Sequence, residues 1–223
     1  MSQSPFVITI SRQLGSGAAY IGQQLAARLG LLYLDRVILQ TAAQQLNILE
    51  DLLQEHDEVA TSFWQSVIQS FSYGSPEMLY VPPTITSVPT DHELFAVESR
   101  IISQVAQTQS AVIVGRGGVH VLHEHPRHLS IFFYAESTFR QQRVEKLYHV
   151  SASEARSAIE TCDNARARYH RMITGKEWND ARQYHLCLDT STFGIPATIE
   201  TILFYIRERF GVGAIEQASH LSQ

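Results

Sequence analysis

Phe6-Val7-Ile8-Thr9-Ile10-Ser11-Arg12-Gln13-Leu14-Gly15-Ser16-Gly17-Ala18-Ala19-Tyr20-Ile21-Gly22 constrains this chain more than any other stretch. An apolar, β-branched run breaks into a Gly-Ser-Gly turn and resumes with helical spacing, which predicts strand, tight loop, helix. A helix N-terminus offers unpaired backbone N–H groups and the positive end of its dipole, so a glycine turn that admits a phosphate makes an anion cradle. The full pattern G-x-x-x-x-G-K-[ST] asks for lysine and a small hydroxyl residue, and this chain has Ala18 and Tyr20 where they would fall. The candidate phosphate contacts are therefore Gly15, Ser16, Gly17, Ala18, Ala19 and Tyr20, with Arg12 as the nearest replacement for the missing charge.

The rest of the chain repeats the alternation of strand and helix. Ile21, Leu25, Ala26 and Leu29 recur at helical spacing before Gly30, and Leu31-Leu32-Tyr33-Leu34 reads as a second strand ending at Asp35-Arg36. Helical patterns are expected from Val37 to about Leu46 and, less cleanly, over 48–73; the proline-rich stretch from Tyr73 to Pro89 is expected to be an irregular, substrate-side flap. Thr90-Asp91-His92-Glu93 fits a capping box and opens a helix whose inward positions are Leu94, Phe95, Val97, Ile101, Ile102 and Val105. Ala111–Val114 is a buried strand that stops at Gly115-Arg116-Gly117-Gly118, and Leu129 to Tyr134 is the next, followed by a helix through Phe139, Val144 and Leu147. A second capping box, Ser151-Ala152-Ser153-Glu154, opens a helix running into Asp163-Asn164-Ala165-Arg166-Ala167-Arg168-Tyr169-His170-Arg171. Tyr184 to Leu188 gives a last strand, Ile199 to Phe210 a closing helix, and a loose tail follows from Gly211. Five strands alternating with helices predict a three-layer α/β fold on a parallel sheet.

Composition narrows the partners. The 223 residues, 44% hydrophobic, suffice for one domain spanning 1–223 with a mobile subdomain, and a net charge of −5 gives no bulk attraction to nucleic acid or anionic membrane. The chain reaches a strand within five residues of Met1, with no basic leader pattern and no apolar run of about 20 residues, so a cytoplasmic protein is expected. Cys162 and Cys187 lack metal or redox spacing and are expected to be buried thiols. His120, His123, His125 and His128 miss the zinc-protease spacing and read as an exposed helix end and loop, and neither a G-x-S-x-G elbow nor a complete G-x-G-x-x-G fingerprint is present.

Phosphoryl transfer asks the protein mainly to align polyanions and neutralise moving charge. Nearly every expected loop at a strand's carboxyl end carries a suitable cation, with Arg12, Arg36, Arg116 and the pair Arg140 and Arg143 followed by Arg166, Arg168 and Arg171 in the late helix. Asp35, directly after a buried strand, either orients a substrate hydroxyl or hydrated Mg²⁺, or caps the following helix.

With these residues assembled, the chain resembles the cytidylate-kinase-like family of P-loop nucleoside monophosphate kinases. The matching blocks are Ile8 to Gly17, Leu29-Gly30 with Tyr33-Leu34-Asp35-Arg36, Val112 to Gly117, Asp163-x-x-Arg166-x-x-Tyr169, and Tyr184-His185-Leu186-x-Leu188-Asp189-Thr190-Ser191. The resemblance implies strand order 2-3-1-4-5, a monophosphate-binding insertion at about 36–108 and a lid at about 150–182. It also implies ATP with Mg²⁺, held by the loop Gly15 to Tyr20 and Arg140, and CMP or dCMP held by Asp35, Arg36 and Arg116. Arg12, Arg116, Arg166 and Arg168 would then serve the transfer, either in a kinase or in a catalytically silent nucleotide-binding module that keeps the fold.

Overall fold

The computed structural model describes residues 4–35 and 91–211, with the side chains of 91–93 left aside. Arg36, Thr90, the patterns expected between Val37 and Pro89, and the tail beyond Gly211 lie outside the described residues. The strands are β1 (Val7–Arg12), β2 (Leu32–Leu34), β3 (Ala111–Val114), β4 (His128–Tyr134) and β5 (Leu186–Asp189). All pair in parallel in the order β2-β3-β1-β4-β5, as expected from the resemblance. The helices are α1 (Ala18–Leu29), α2 (Asp91–Thr108), α3 (Gly118–Val121), α4 (Ser137–Tyr148), α5 (Ala152–Thr174), α6 (Thr190–Phe193) and α7 (Ile195–Phe210).

Alternation along the strands divides the core between two faces. Ile8, Ile10, Val112, Val114, Leu129, Ile131 and Phe133 pack with α1 and α7, while Val7, Ala111, Ile113 and Leu34 pack with Ile101, Ile102 and Val105 of α2. Most are fully buried, and each such side chain contributes about 1.5–3 kcal/mol of transfer free energy. Register follows from that pattern: Ile8 stands level with Val112 on one side and Leu129 on the other. A one-residue slip would turn the apolar set to the wrong face. The Ser151–Glu154 capping box forms as expected, with the Ser151 side chain accepting from the Glu154 N–H and the Glu154 carboxylate accepting from the Ser151 N–H at 2.8 Å.

Some expectations are corrected. His128 does not lie in an exposed loop: it opens β4, only 2% exposed, its Nε2 2.7 Å from Thr9 Oγ1. The strand starts one residue earlier than the apolar run, with the Thr9 hydroxyl and His128 Nε2 satisfying each other inside the sheet. Cys162 and Cys187 are half-buried rather than buried, Cys187 because β5 is the sheet's edge strand. Leu147 is largely exposed, since Val144 alone of the expected α4 positions is fully buried. Tyr184 and His185 precede β5 instead of starting it, Tyr184 turning inward to donate its hydroxyl proton to the Trp178 carbonyl at 2.7 Å.

His128 also gives the molecule a pH signature. Burial first, then the neighbouring His185, His125 and Arg209, lower its pKa to about 3. Between that value and the ordinary 6.5, the unfolded chain binds a proton that the folded chain refuses, so stability falls as pH drops through this window. The expected slope in urea unfolding approaches ~1.4 kcal/mol per pH unit from this one group. His128→Gln should flatten it; an unchanged slope between pH 6 and 4 would refute the assignment.

Candidate nucleotide site

The carboxyl ends of β1, β3, β4 and β5 face the same edge of the sheet, and the loop after β1 is built there. The Gln13 N–H donates to the Phe133 carbonyl at 3.0 Å, carrying the β1–β4 ladder one residue past the strand. The Ser16 hydroxyl then donates to the Gln13 carbonyl at 2.8 Å, while the Ser16 carbonyl accepts from Thr190 Oγ1 at 2.7 Å. That hydroxyl holds the turn in shape instead of facing out. Gly15, at φ +82°, lies so close to α4 that a methyl group there would sit 2.7 Å from the Arg140 carbonyl oxygen. Gly17, also at φ +82°, caps α1 with no side-chain acceptor, so the first-turn N–H groups of a 12-residue helix carry no side-chain cap. Ala18 is 1% exposed within the core cluster and Tyr20 is 46% exposed, so neither supplies the charge or the small hydroxyl of the full pattern.

The cations distribute unevenly around this loop. Arg143 of α4 comes to Gly17: its Nε lies 3.5 Å from where a Gly17 methyl would be, buried, and without a hydrogen-bond partner among the described residues. Arg12, the expected replacement cation, crosses instead to the turn after β3, its guanidinium packed where a Gly115 methyl would collide with it. Arg140 donates to Asp163 Oδ2 at 2.6 Å and to the Leu14 carbonyl at 3.4 Å. Arg166 donates to the Arg12 carbonyl at 3.1 Å, and Arg168 is exposed, its side chain making no ion pair or hydrogen bond among the described residues. Asp35 is half-buried at the end of β2.

Arg116 stands apart. It adopts φ +52° between two left-handed glycines, a conformation that costs a non-glycine residue about 1 kcal/mol or more. Its guanidinium lies 5.4 Å from the Tyr169 ring centroid, and Nε is 3.2 Å from Oε1 of Glu98, a carboxylate with 0% exposure. Nη2 is buried without a hydrogen-bond partner among the described residues. Burial, then the Glu98 charge, push the Tyr169 hydroxyl up to about 12, so it stays a phenol and points toward Glu98 Oε2 at 3.4 Å.

Sequence reading passed over Glu98 and gave Asp163 no role. Glu98 was detectable as the one carboxylate on the α2 stripe of Leu94, Ile101, Ile102 and Val105; Asp163 was the one acid in an arginine-rich run. Among the described residues no group of three His, Cys, Asp or Glu could hold a metal, and Asp189 is engaged in capping α6 through the Ser191 and Thr192 N–H groups. The uncapped α1 terminus and the surrounding guanidiniums suit a polyphosphate; a Mg²⁺ ion would rely on the polyphosphate and water for most of its ligands.

A five-stranded parallel sheet in this order, with a glycine loop leading into α1, defines a kinase-type P-loop fold. The chain belongs to the cytidylate kinase-like family, whose model matches residues 7–192. No curated protein matches it. Among solved structures, an uncharacterized protein from Eubacterium ventriosum is similar at 19% identity and TM-score 0.68, covering 92% of this chain and 99% of that one. Shikimate kinase from Bacteroides thetaiotaomicron aligns at 11% identity and TM-score 0.47, over 91% of this chain and 98% of that one. Shikimate kinase from Acinetobacter baumannii, solved with shikimate, aligns at 12% and 0.46, over 92% and 94%. No helix among the described residues is long and apolar enough to cross a membrane.

Proposed function

We propose that the protein is a cytoplasmic phosphotransferase of the nucleoside monophosphate kinase type, moving the γ-phosphate of ATP to a small acceptor, with CMP or dCMP first in line. One observation carries the reading: the uncapped N-terminus of α1 lies beside a buried Arg143 Nε that has no hydrogen-bond partner among the described residues, at the loop where the full phosphate-loop pattern would place its lysine. In this reading the loop N–H groups hold the phosphates, Mg²⁺ arriving with ATP neutralises phosphate charge, and Arg143 supplies the fixed cation. Asp35, Arg36 and Arg116 bind the acceptor, and Arg12, Arg166 and Arg168 attend the transferred group. A coupled assay should detect ADP when ATP–Mg²⁺ is offered with CMP or dCMP, and a panel of other monophosphates and small alcohols ranks the acceptors. No ADP above background with any of them would defeat the kinase reading.

The burial of Ala18 and the inward turn of the Ser16 hydroxyl favour a second reading, a silent nucleotide-binding module. It predicts that ATP raises the melting temperature while the same assay stays flat.

A further inference from the structure

The loop already holds an anion, and it belongs to the protein. Asp163 projects from α5, in the expected lid, and its Oδ1 accepts from the Leu14 N–H at 2.8 Å across 149 residues of sequence. Its Oδ2 accepts from Arg140 Nη1 at 2.6 Å, and Oδ1 lies 3.4 Å from Arg166 Nη1. One backbone amide of a glycine loop plus two guanidiniums is the donor set that a phosphate oxygen draws. We propose that Asp163 is the loop's resident anion: it occupies Leu14, Arg140 and Arg166 in the ligand-free protein and yields them to a polyphosphate. This inference rests on reading the loop as a polyphosphate site.

Charge and burial favour displacement over a permanent strut. A polyphosphate at the α1 terminus would lie next to the carboxylate, and like charges at contact distance repel strongly in a partly dry site. Asp163 keeps 16% of its side-chain surface exposed, against 0% for Glu98, so it can rehydrate on release where Glu98 would be left buried and unpaired. It also stands on a different element from the loop, so its release removes the side-chain bond that ties α5 to the loop while β1 and α1 stay in place. Ligand entry and movement of the expected lid thereby become one equilibrium, with Asp163 as a positioning residue that acts through Arg140 and Arg166.

Asp163→Asn keeps the side chain's shape and removes its charge, leaving both arginines short of an anion. Calorimetric titration of the full chain with inorganic tripolyphosphate should then show binding roughly tenfold tighter than wild type, the scale of one charge-assisted hydrogen bond. A strut would give the opposite sign. Binding by Asp163→Asn where wild type shows none is the same result in stronger form. Equal or weaker binding than wild type overturns the inference and leaves the phosphate-loop reading standing; no binding by either protein overturns both. Should the variant not fold, the wild type still decides. On adding tripolyphosphate, the Leu14 amide and the Arg140 and Arg166 Nε–H signals should shift with one dissociation constant, and signals that stay fixed at saturation defeat the proposal.

Discussion

Arg143→Ala is expected to lower ATP-dependent turnover by roughly 10³-fold, the usual consequence of deleting a preorganised cation aimed at developing phosphoryl charge. The reason is position. The Arg143 Nε is buried against Gly17 and engages no acid among the described residues, whereas Arg140, Arg166 and Arg116 are each within ion-pairing distance of Asp163 or Glu98. A guanidinium with no competing carboxylate contributes its whole charge to a bound phosphate. The substitution loses no ion pair among the described residues but does remove buried packing, so a thermal melt of the variant alongside the assay separates a turnover defect from unfolding. Arg143→Lys should restore part of the rate through charge alone, while lacking the planar fork. The measurement is kcat and KM for ATP, with Arg12→Ala alongside. An undiminished rate in Arg143→Ala combined with a collapse in Arg12→Ala would return the replacement role to Arg12.

How much of this was legible depends on distance along the chain. Strands read from Val7, Ala111 and Leu129 are runs of apolar residues buried on both faces, and such runs declare themselves locally. The loop was equally visible, because glycines at positive φ and the restart of helical period sit within a few residues of each other. The Ser151–Glu154 box is a contact between neighbours and was read correctly. What stayed hidden are pairings between remote elements. The arginines were read as a set of loop cations, yet which one meets which carboxylate is decided by how α2, α4 and α5 lie over the sheet edge. Arg12 illustrates this: next to the loop in sequence, its side chain lies against Gly115 on the neighbouring strand's turn. His128 was missed for a related reason, since its partner Thr9 is 119 residues away and only the β1–β4 register joins them.

The second large effect concerns the pair that no local pattern could reveal. Glu98→Ala is expected to destabilise the fold by roughly 3–5 kcal/mol, the range for stripping one member from a buried ion pair. Arg116 is only 9% exposed, so its charge would remain in the protein with the Tyr169 ring as its closest compensation. Denaturant unfolding should show the loss as a lower midpoint at unchanged m-value. Glu98→Leu combined with Arg116→Met tests whether the cost lies in the orphaned charge: replacing both partners with apolar side chains should recover most of the stability. That double variant should still bind ATP, since the loop and Arg143 are untouched, but fail to bind the acceptor. Recovery of fold without recovery of acceptor binding would mean that the pair is dispensable for the fold and that Arg116 is kept for the acceptor, consistent with the strained backbone at φ +52° that presents it. If instead the double variant is as unstable as Glu98→Ala, the ion pair itself holds α2 to the sheet edge, and the functional account of Arg116 loses its physical basis.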